Sequence, residues 1–246
     1  MAGQIRVGIG GWVYEPWRGI FYPQGLRQKD ELAYVGQQLT ATEINATYYS
    51  SQKPATFAGW AKAVPDGFRF AVKASRYCTN RKLLAEAGES VAKFTGQGIA
   101  ELGDRLGPIL WQFMPTKRFD PDDFGAFLTL LPGSVDGVPL RHALEVRHES
   151  FVDPAFVRMV REAGAAIVYA DHDDYPAIEG DDVGFSYMRL MRTQSDEPTG
   201  YPPEAIASWA RRAARLAEAG DSYAFFIGGA KERNPAAARA TIVALE

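Results

Sequence analysis

One cysteine and three histidines are all that a chain of 246 residues contains of the softer metal ligands. The single thiol, Cys78, excludes an intramolecular disulfide and any cluster of thiolate ligands. So few imidazoles also weigh against zinc, which favours nitrogen and sulfur donors. No apolar stretch approaches the roughly twenty residues that a membrane helix needs. The opening MAGQIRVGIGG runs into a strand-like segment with no charged leader, so neither signal peptide nor membrane anchor is expected, and a cytoplasmic location is the simplest reading. An excess of one charge is missing too: 27 Lys and Arg stand against 30 Asp and Glu, a net charge of −3. That balance gives no global basic field to draw nucleic acid or an anionic membrane. There is no G-x-S-x-G elbow, P-loop or G-x-G-x-x-G, and no low-complexity segment or short repeat.

What is present reads as an ordinary folded chain, 46% hydrophobic and 23% charged. Short β-branched or aromatic runs alternate with helical stretches. The candidate strands are IRVGIGG, ATEINATYY, FRFAVKAS, GPILWQF, HALEVRH, AIVYAD, FSYMRL and YAFFIGG. Asp120-Pro121, Asp153-Pro154 and Asn234-Pro235 each set a capping side chain before a proline at a first helical position. About eight strand-then-helix units without a linker predict a (β/α)8 TIM barrel forming one domain over residues 1–246, with an open doubly wound sheet as the alternative. The sixth unit is irregular. HDDYPAIEGDDVG holds too many turn formers for a good helix and is expected to form a loop at the barrel mouth. The proline-rich EPTGYPPE is expected to open the seventh helix.

Alternation along each strand sends side chains to opposite faces. Glu43, Asn45 and Thr47 oppose Ile44 and Tyr48; Lys73 and Ser75 oppose Phe70, Val72 and Ala74; Gln112 opposes Trp111 and Phe113; Glu145 and Arg147 oppose Leu144, Val146 and His148. Asp171 closes its strand and Arg189 comes late in its own. With the apolar faces packed on helices, these polar groups are expected in the lumen, near the C-terminal mouth where barrel enzymes keep their sites. Buried charges of both signs must satisfy one another or hold a ligand. A purely structural network therefore stands beside a functional one.

The donors favour an anion. Lys73, Arg147 and Arg189 are joined by Arg76, Arg81, Arg192, Lys231 and Arg233 in adjacent loops, and guanidinium forks suit carboxylate or phosphate. GGAKERNP follows the eighth strand, where many barrels seat a phosphate. Glu43 and Glu145 form a candidate acid/base pair. With Asp171 and His148 or His172 they also leave a divalent metal open, although His148 is expected to face the helices. The aromatic first loop, GIGGWVYEPWRGIFYP, is read as a rigid packed element ahead of a stacking wall for a base or sugar.

GGWVYEPWRGIFYP, EINATYYSSQKPATFAGWAKAVPDGFRFAVKASRYCT, LGPILWQF, HALEVRH and YMRL, taken in order, resemble the YecE-like family, the domain of unknown function 72. The resemblance spans nearly the whole chain and implies a TIM barrel. It also implies a fold-level likeness to endonuclease IV and xylose isomerase, from which DNA or phosphosugar chemistry follows only by analogy. The family-like positions are Glu43, Asn45, Tyr49, Lys73, Gln112, Glu145, Arg147, Asp171 and Arg189. Two stretches depart from the pattern: Met191 and Arg192 stand where the family has histidine then glycine, and Ile227 and Gly228 where it usually has an asparagine pair.

The expectation is an enzyme acting on a phosphorylated or otherwise anionic small ligand by hydrolysis, elimination or isomerisation. Glu43, Glu145 and Asp171 are its catalytic candidates; Asn45, Tyr49, Lys73, Gln112, Arg147, Arg189 and Lys231 are its substrate-binding candidates. No cofactor is required. A nucleic-acid-binding or nuclease-like protein and a catalytically silent ligand-binding barrel stay open as alternatives.

Overall fold

A computed structural model describes residues 3–180 and 183–246. Eight parallel strands close into a barrel: β1 (Ile5–Gly10), β2 (Ala41–Ile44), β3 (Arg69–Lys73), β4 (Leu106–Gln112), β5 (His142–Glu145), β6 (Ala166–Asp171), β7 (Phe185–Leu190) and β8 (Asp221–Phe226), with β1 pairing both β2 and β8. This is the predicted TIM-barrel topology, and the open sheet is excluded. Among the described residues, six helices of eight residues or more fill six of the seven crossovers, Glu31–Gln38, Pro54–Ala63, Gly88–Thr95, Pro121–Thr129, Pro154–Glu162 and Pro203–Ala217, and a seventh, Asn234–Val243, follows β8.

Two of the three predicted caps form. The Asp120 carboxylate accepts from the amides of Asp122 and Asp123, and that of Asp153 from Ala155, meeting the amide groups a helix start leaves unpaired. Asn234 does not cap. It is the first residue of its helix, and its Oδ1 accepts from the Thr193 hydroxyl at 2.8 Å, a tertiary partner that outcompetes the local one.

The sixth crossover is irregular, as predicted, but it does not stay at the mouth. His172 stacks on Tyr175 at the top, Ile178 is buried, and Glu179 and Gly180 line a cavity with Ala166 and Ile167 at the start of β6. The segment therefore descends the outside of β6, covering apolar surface that a helix covers elsewhere. Asp181 and Asp182 of this stretch lie outside the described residues. Before β5 the chain adds a hairpin, Ser134–Val135 with Val138–Pro139, turned by Asp136 and Gly137 at positive φ.

Two apolar layers follow from the alternation. The outer one packs strands on helices and includes Trp111, Phe113, Phe124, Phe127, Phe151 and Phe156. The first loop joins it as expected: Trp17, Phe21 and Tyr22 are buried edge-to-face, and the Trp17 indole N–H donates to the Lys231 carbonyl. The inner layer consists of Ala41, Ala71, Leu110, Ala143, Val168, Tyr187 and Phe225, with Ala166, Phe185 and Tyr223 below. Above Arg6, which lies level with Tyr223, β1 offers only glycine to the lumen. A Cβ on Gly8 would fall 2.1 Å from the Ala41 carbonyl oxygen, and one on Gly10 would crowd Asn45 and Ile227.

Candidate functional site

Two residues above the inner apolar layer, the same alternation places Glu43, Lys73, Gln112, Glu145 and Arg189 in the upper lumen. Arg189 is the hub. Its Nη1 donates to Glu145 Oε2 at 2.6 Å, while Nη2 and Nε donate to Glu43 Oε1 at 3.1 Å and Oε2 at 3.2 Å. The Tyr187 hydroxyl completes Glu43 at 2.8 Å, and the Gln112 amide and Arg147 Nε complete Glu145, each at 2.8 Å. To reach from β7 to β2, Arg189 crosses in front of β8 and β1, where the β1 glycines leave the space.

Both carboxylates thus accept three hydrogen bonds in a site shielded from water, so the network is satisfied in the way that buried charge requires. Burial alone would push the Glu145 carboxyl up. Arg189, then Arg147, the Gln112 hydrogen bond and Lys73 outweigh burial and bring it to about 2. Burial also opposes the charge on Arg189, but Glu145 and Glu43 overcome it and hold the guanidinium ionised. Burial first, and the Glu43 charge second, raise the Tyr187 phenol.

Lys73 differs. Burial, then the neighbouring Arg189, lowers its ammonium to about 8, against the pull of Glu43 and Glu145. Its Nζ lies 4.3 Å from the centre of the Tyr48 ring. Arg147 sits at the rim with its guanidinium carbon 4.5 Å from the centre of the Tyr175 ring and Nη1 donating to the Tyr175 hydroxyl.

Four predicted residues are placed apart from this network. Asp171 has the parity of Ile167 and Tyr169, which pack outward, so its carboxylate accepts from the Tyr201 hydroxyl at 2.7 Å and pairs with Arg192 at 3.6 Å instead of entering the lumen. The departure at Arg192 thus has a defined partner. Strand β2 ends at Ile44, one residue before Asn45, which precedes a helical turn, Ala46–Tyr49. Asn45 stays at the rim, beside Gly10. Tyr49 is exposed and lines a neighbouring cavity. Lys231 rests its ammonium 4.0 Å from the centre of the Tyr14 ring, engaged with the first loop.

His148 lies past the end of β5, its Nδ1 accepting from the Ser150 amide. Among the described residues no three His, Cys, Asp or Glu side chains gather as metal ligands. A guanidinium occupies the space between Glu43 and Glu145. No helix among the described residues is long and apolar enough to cross a membrane.

Tyr187, Tyr175, Tyr201 and Thr193 were not expected from the sequence. Tyr187 had a signal, since it stands two residues before Arg189 and so shares its face. The other three lie in loops, where no periodicity predicts direction.

The profile of the family described as "protein of unknown function DUF72" matches residues 6–246. This chain belongs to the DUF72 family. A DUF72 protein from Thermotoga maritima superposes with a TM-score of 0.76 at 21% identity, covering 98% of each chain. One from Enterococcus faecalis gives 0.72 at 18% identity, over 98% of this chain and 97% of the other. SacUVDE gives 0.59 at 9% identity, over 98% of both. At such identities the likenesses establish the barrel fold alone. No curated protein matches the chain.

Proposed function

We propose that this DUF72 protein is an enzyme that binds a small anionic substrate, phosphorylated or carboxylated, at the C-terminal mouth of its barrel. The observation that carries the reading is a surplus of positive charge. Three cations, Lys73, Arg147 and Arg189, face two carboxylates, Glu43 and Glu145, whose acceptor positions are taken by Arg189, Tyr187, Gln112 and Arg147. Lys73 Nζ and Arg147 Nη2 remain for a ligand, in a partly desolvated place where an anion is held more strongly than in water.

In this reading Glu43 and Glu145 position Arg189, and the Glu145 carboxyl, held near 2, does not exchange protons at neutral pH. Lys73, near 8, is the group suited to do so. Gln112 and Asn45 are the neutral groups at hand to orient the substrate.

The test is thermal unfolding of the wild type, Lys73→Met and Arg147→Ala against phosphosugars, nucleotides, inorganic phosphate and short DNA. A phosphorylated small molecule that raises the wild-type Tm and leaves both variants unmoved supports the reading. An unmoved wild type across the panel sinks it and favours a catalytically silent barrel.

A second reading, single-stranded nucleic acid, draws on the adjoining cavity. There Tyr49 and Tyr77 are exposed beside Lys93, and Arg76 stacks over Tyr77. Aromatic faces among cations suit stacked bases. Binding of short DNA that weakens steeply with salt would favour it.

A further inference from the structure

Lys73 is the last residue of β3, and its carbonyl accepts from the Thr47 hydroxyl at 2.7 Å, which fixes the end of the strand. Lys73 is 9% exposed, yet among the described residues no carboxylate lies within 4.0 Å of its ammonium. Buried lysines ordinarily keep their charge by pairing with a carboxylate. Here the two nearby carboxylates are committed to other donors, and the closest charged influences include two guanidinium groups.

What Nζ does touch is the face of Tyr48, whose hydroxyl accepts from Asn80 and so holds the ring in place. Beyond that ring, Tyr49 meets Tyr48 at 5.0 Å and lines, with Ser75 and Tyr77, a cavity of about 400 Å³ that Lys73 itself does not line.

An amine that is desolvated, flanked by cations and unpaired is a nucleophile. We infer that Lys73 forms an imine with an aldehyde or ketone that carries an anionic group, the anion being held by Arg147; the anion half of this inference rests on the function proposed above. In the first step the nitrogen lone pair makes the C–N bond and the carbonyl π pair passes to oxygen, which takes up the proton that nitrogen loses. In the second, that oxygen takes a further proton from solvent and leaves as water, giving the protonated imine. Neither oxidant nor reductant is consumed. At pH 7.5 an ammonium near 8 is about one quarter free amine, against roughly one part in a thousand for an ordinary lysine.

The experiment uses the intact protein with glyceraldehyde 3-phosphate or glyceraldehyde. Cyanoborohydride fixes any imine as a secondary amine, and peptide mass spectrometry compares all eight lysines. The expected result is modification of Lys73 roughly tenfold or more faster than any other lysine with the phosphorylated aldehyde, slowed by inorganic phosphate and abolished in Lys73→Arg. Because the wild-type map compares lysines within one folded protein, a misfolded variant does not blur the outcome.

Modification of Lys73 no faster than that of Lys93 or Lys231 would overturn the inference, even if phosphate raises the Tm. Equal modification by both aldehydes, indifferent to phosphate, would support the imine chemistry and overturn the anionic substrate class.

Discussion

The guanidinium of Arg189 lies 2.6 Å from Oε2 of Glu145 and 3.1 Å from Oε1 of Glu43, and none of the three side chains is more than 3% exposed. Removing the arginine would leave two carboxylates facing each other out of water. Arg189→Met is therefore expected to cost about 3–5 kcal/mol of stability. Arg147→Ala should cost less, about 1–2 kcal/mol, because Glu145 keeps Gln112 and Arg189. Urea unfolding midpoints check the order, and equal losses in the two variants would contradict the hub role of Arg189.

Acid stability should report Glu145. Its folded-state carboxyl is depressed to about 2 from an ordinary 4.5, so its contribution is complete above 4.5 and is lost as pH falls through 2. Between those values the unfolded chain binds the proton first, and stability declines. Glu145→Gln should flatten that decline, which is read by comparing urea midpoints of the two proteins from pH 6 to pH 2.

At the alkaline end Lys73 has the analogous effect. Its ammonium is depressed to about 8 from 10.5, so the unfolded chain holds a proton that the folded protein has released between those values. The contribution is complete above 10.5 and is lost as pH falls through 8. Stability from this group should rise with pH across the window, and Lys73→Met should remove the rise in a matched series of unfolding curves.

The loop after β8 is held to the loop after β7 through Thr193. Gly229 has φ of 53°, and a Cβ there would sit 2.6 Å from the Thr193 carbonyl oxygen and 2.7 Å from its amide nitrogen. Gly229→Ala is expected to destabilise the protein by more than about 1 kcal/mol through strain and contact together. Thr193→Val, which deletes the hydroxyl bonded to Asn234, should cost about 1–2 kcal/mol. Calorimetric Tm values check both.

Period-two alternation made the luminal ring legible, because Glu43, Lys73, Gln112, Glu145 and Arg189 each follow an inward apolar residue by two. The same rule, applied correctly, turns Asp171 outward; its place at the end of a strand was mistaken for a place in the ring. Asn45 and Tyr49 escaped the rule because β2 stops at Ile44, and nothing in the pattern of ATEINATYY marks the change from strand to helical turn. Asn234 looked like a cap because local chemistry favours one, and Thr193, 41 residues away, claimed it. The route of residues 172–180 was hidden for a similar reason: turn formers announce the absence of a helix but not the surface the chain will cover instead.

The tie through Arg189 also bears on the order of assembly. Its partners lie 146 and 44 positions away along the chain, on strands that are not its neighbours in the ring. The shortest contiguous stretch that holds all three runs from Glu43 to Arg189 and takes in six of the eight strands, so their charges stay hydrated until the circle is nearly complete. An interaction formed so late leaves the rate of folding largely untouched and slows escape from the finished state. The charged layer then acts as a latch on closure, strengthening the barrel's resistance to opening while contributing little to how quickly it is reached.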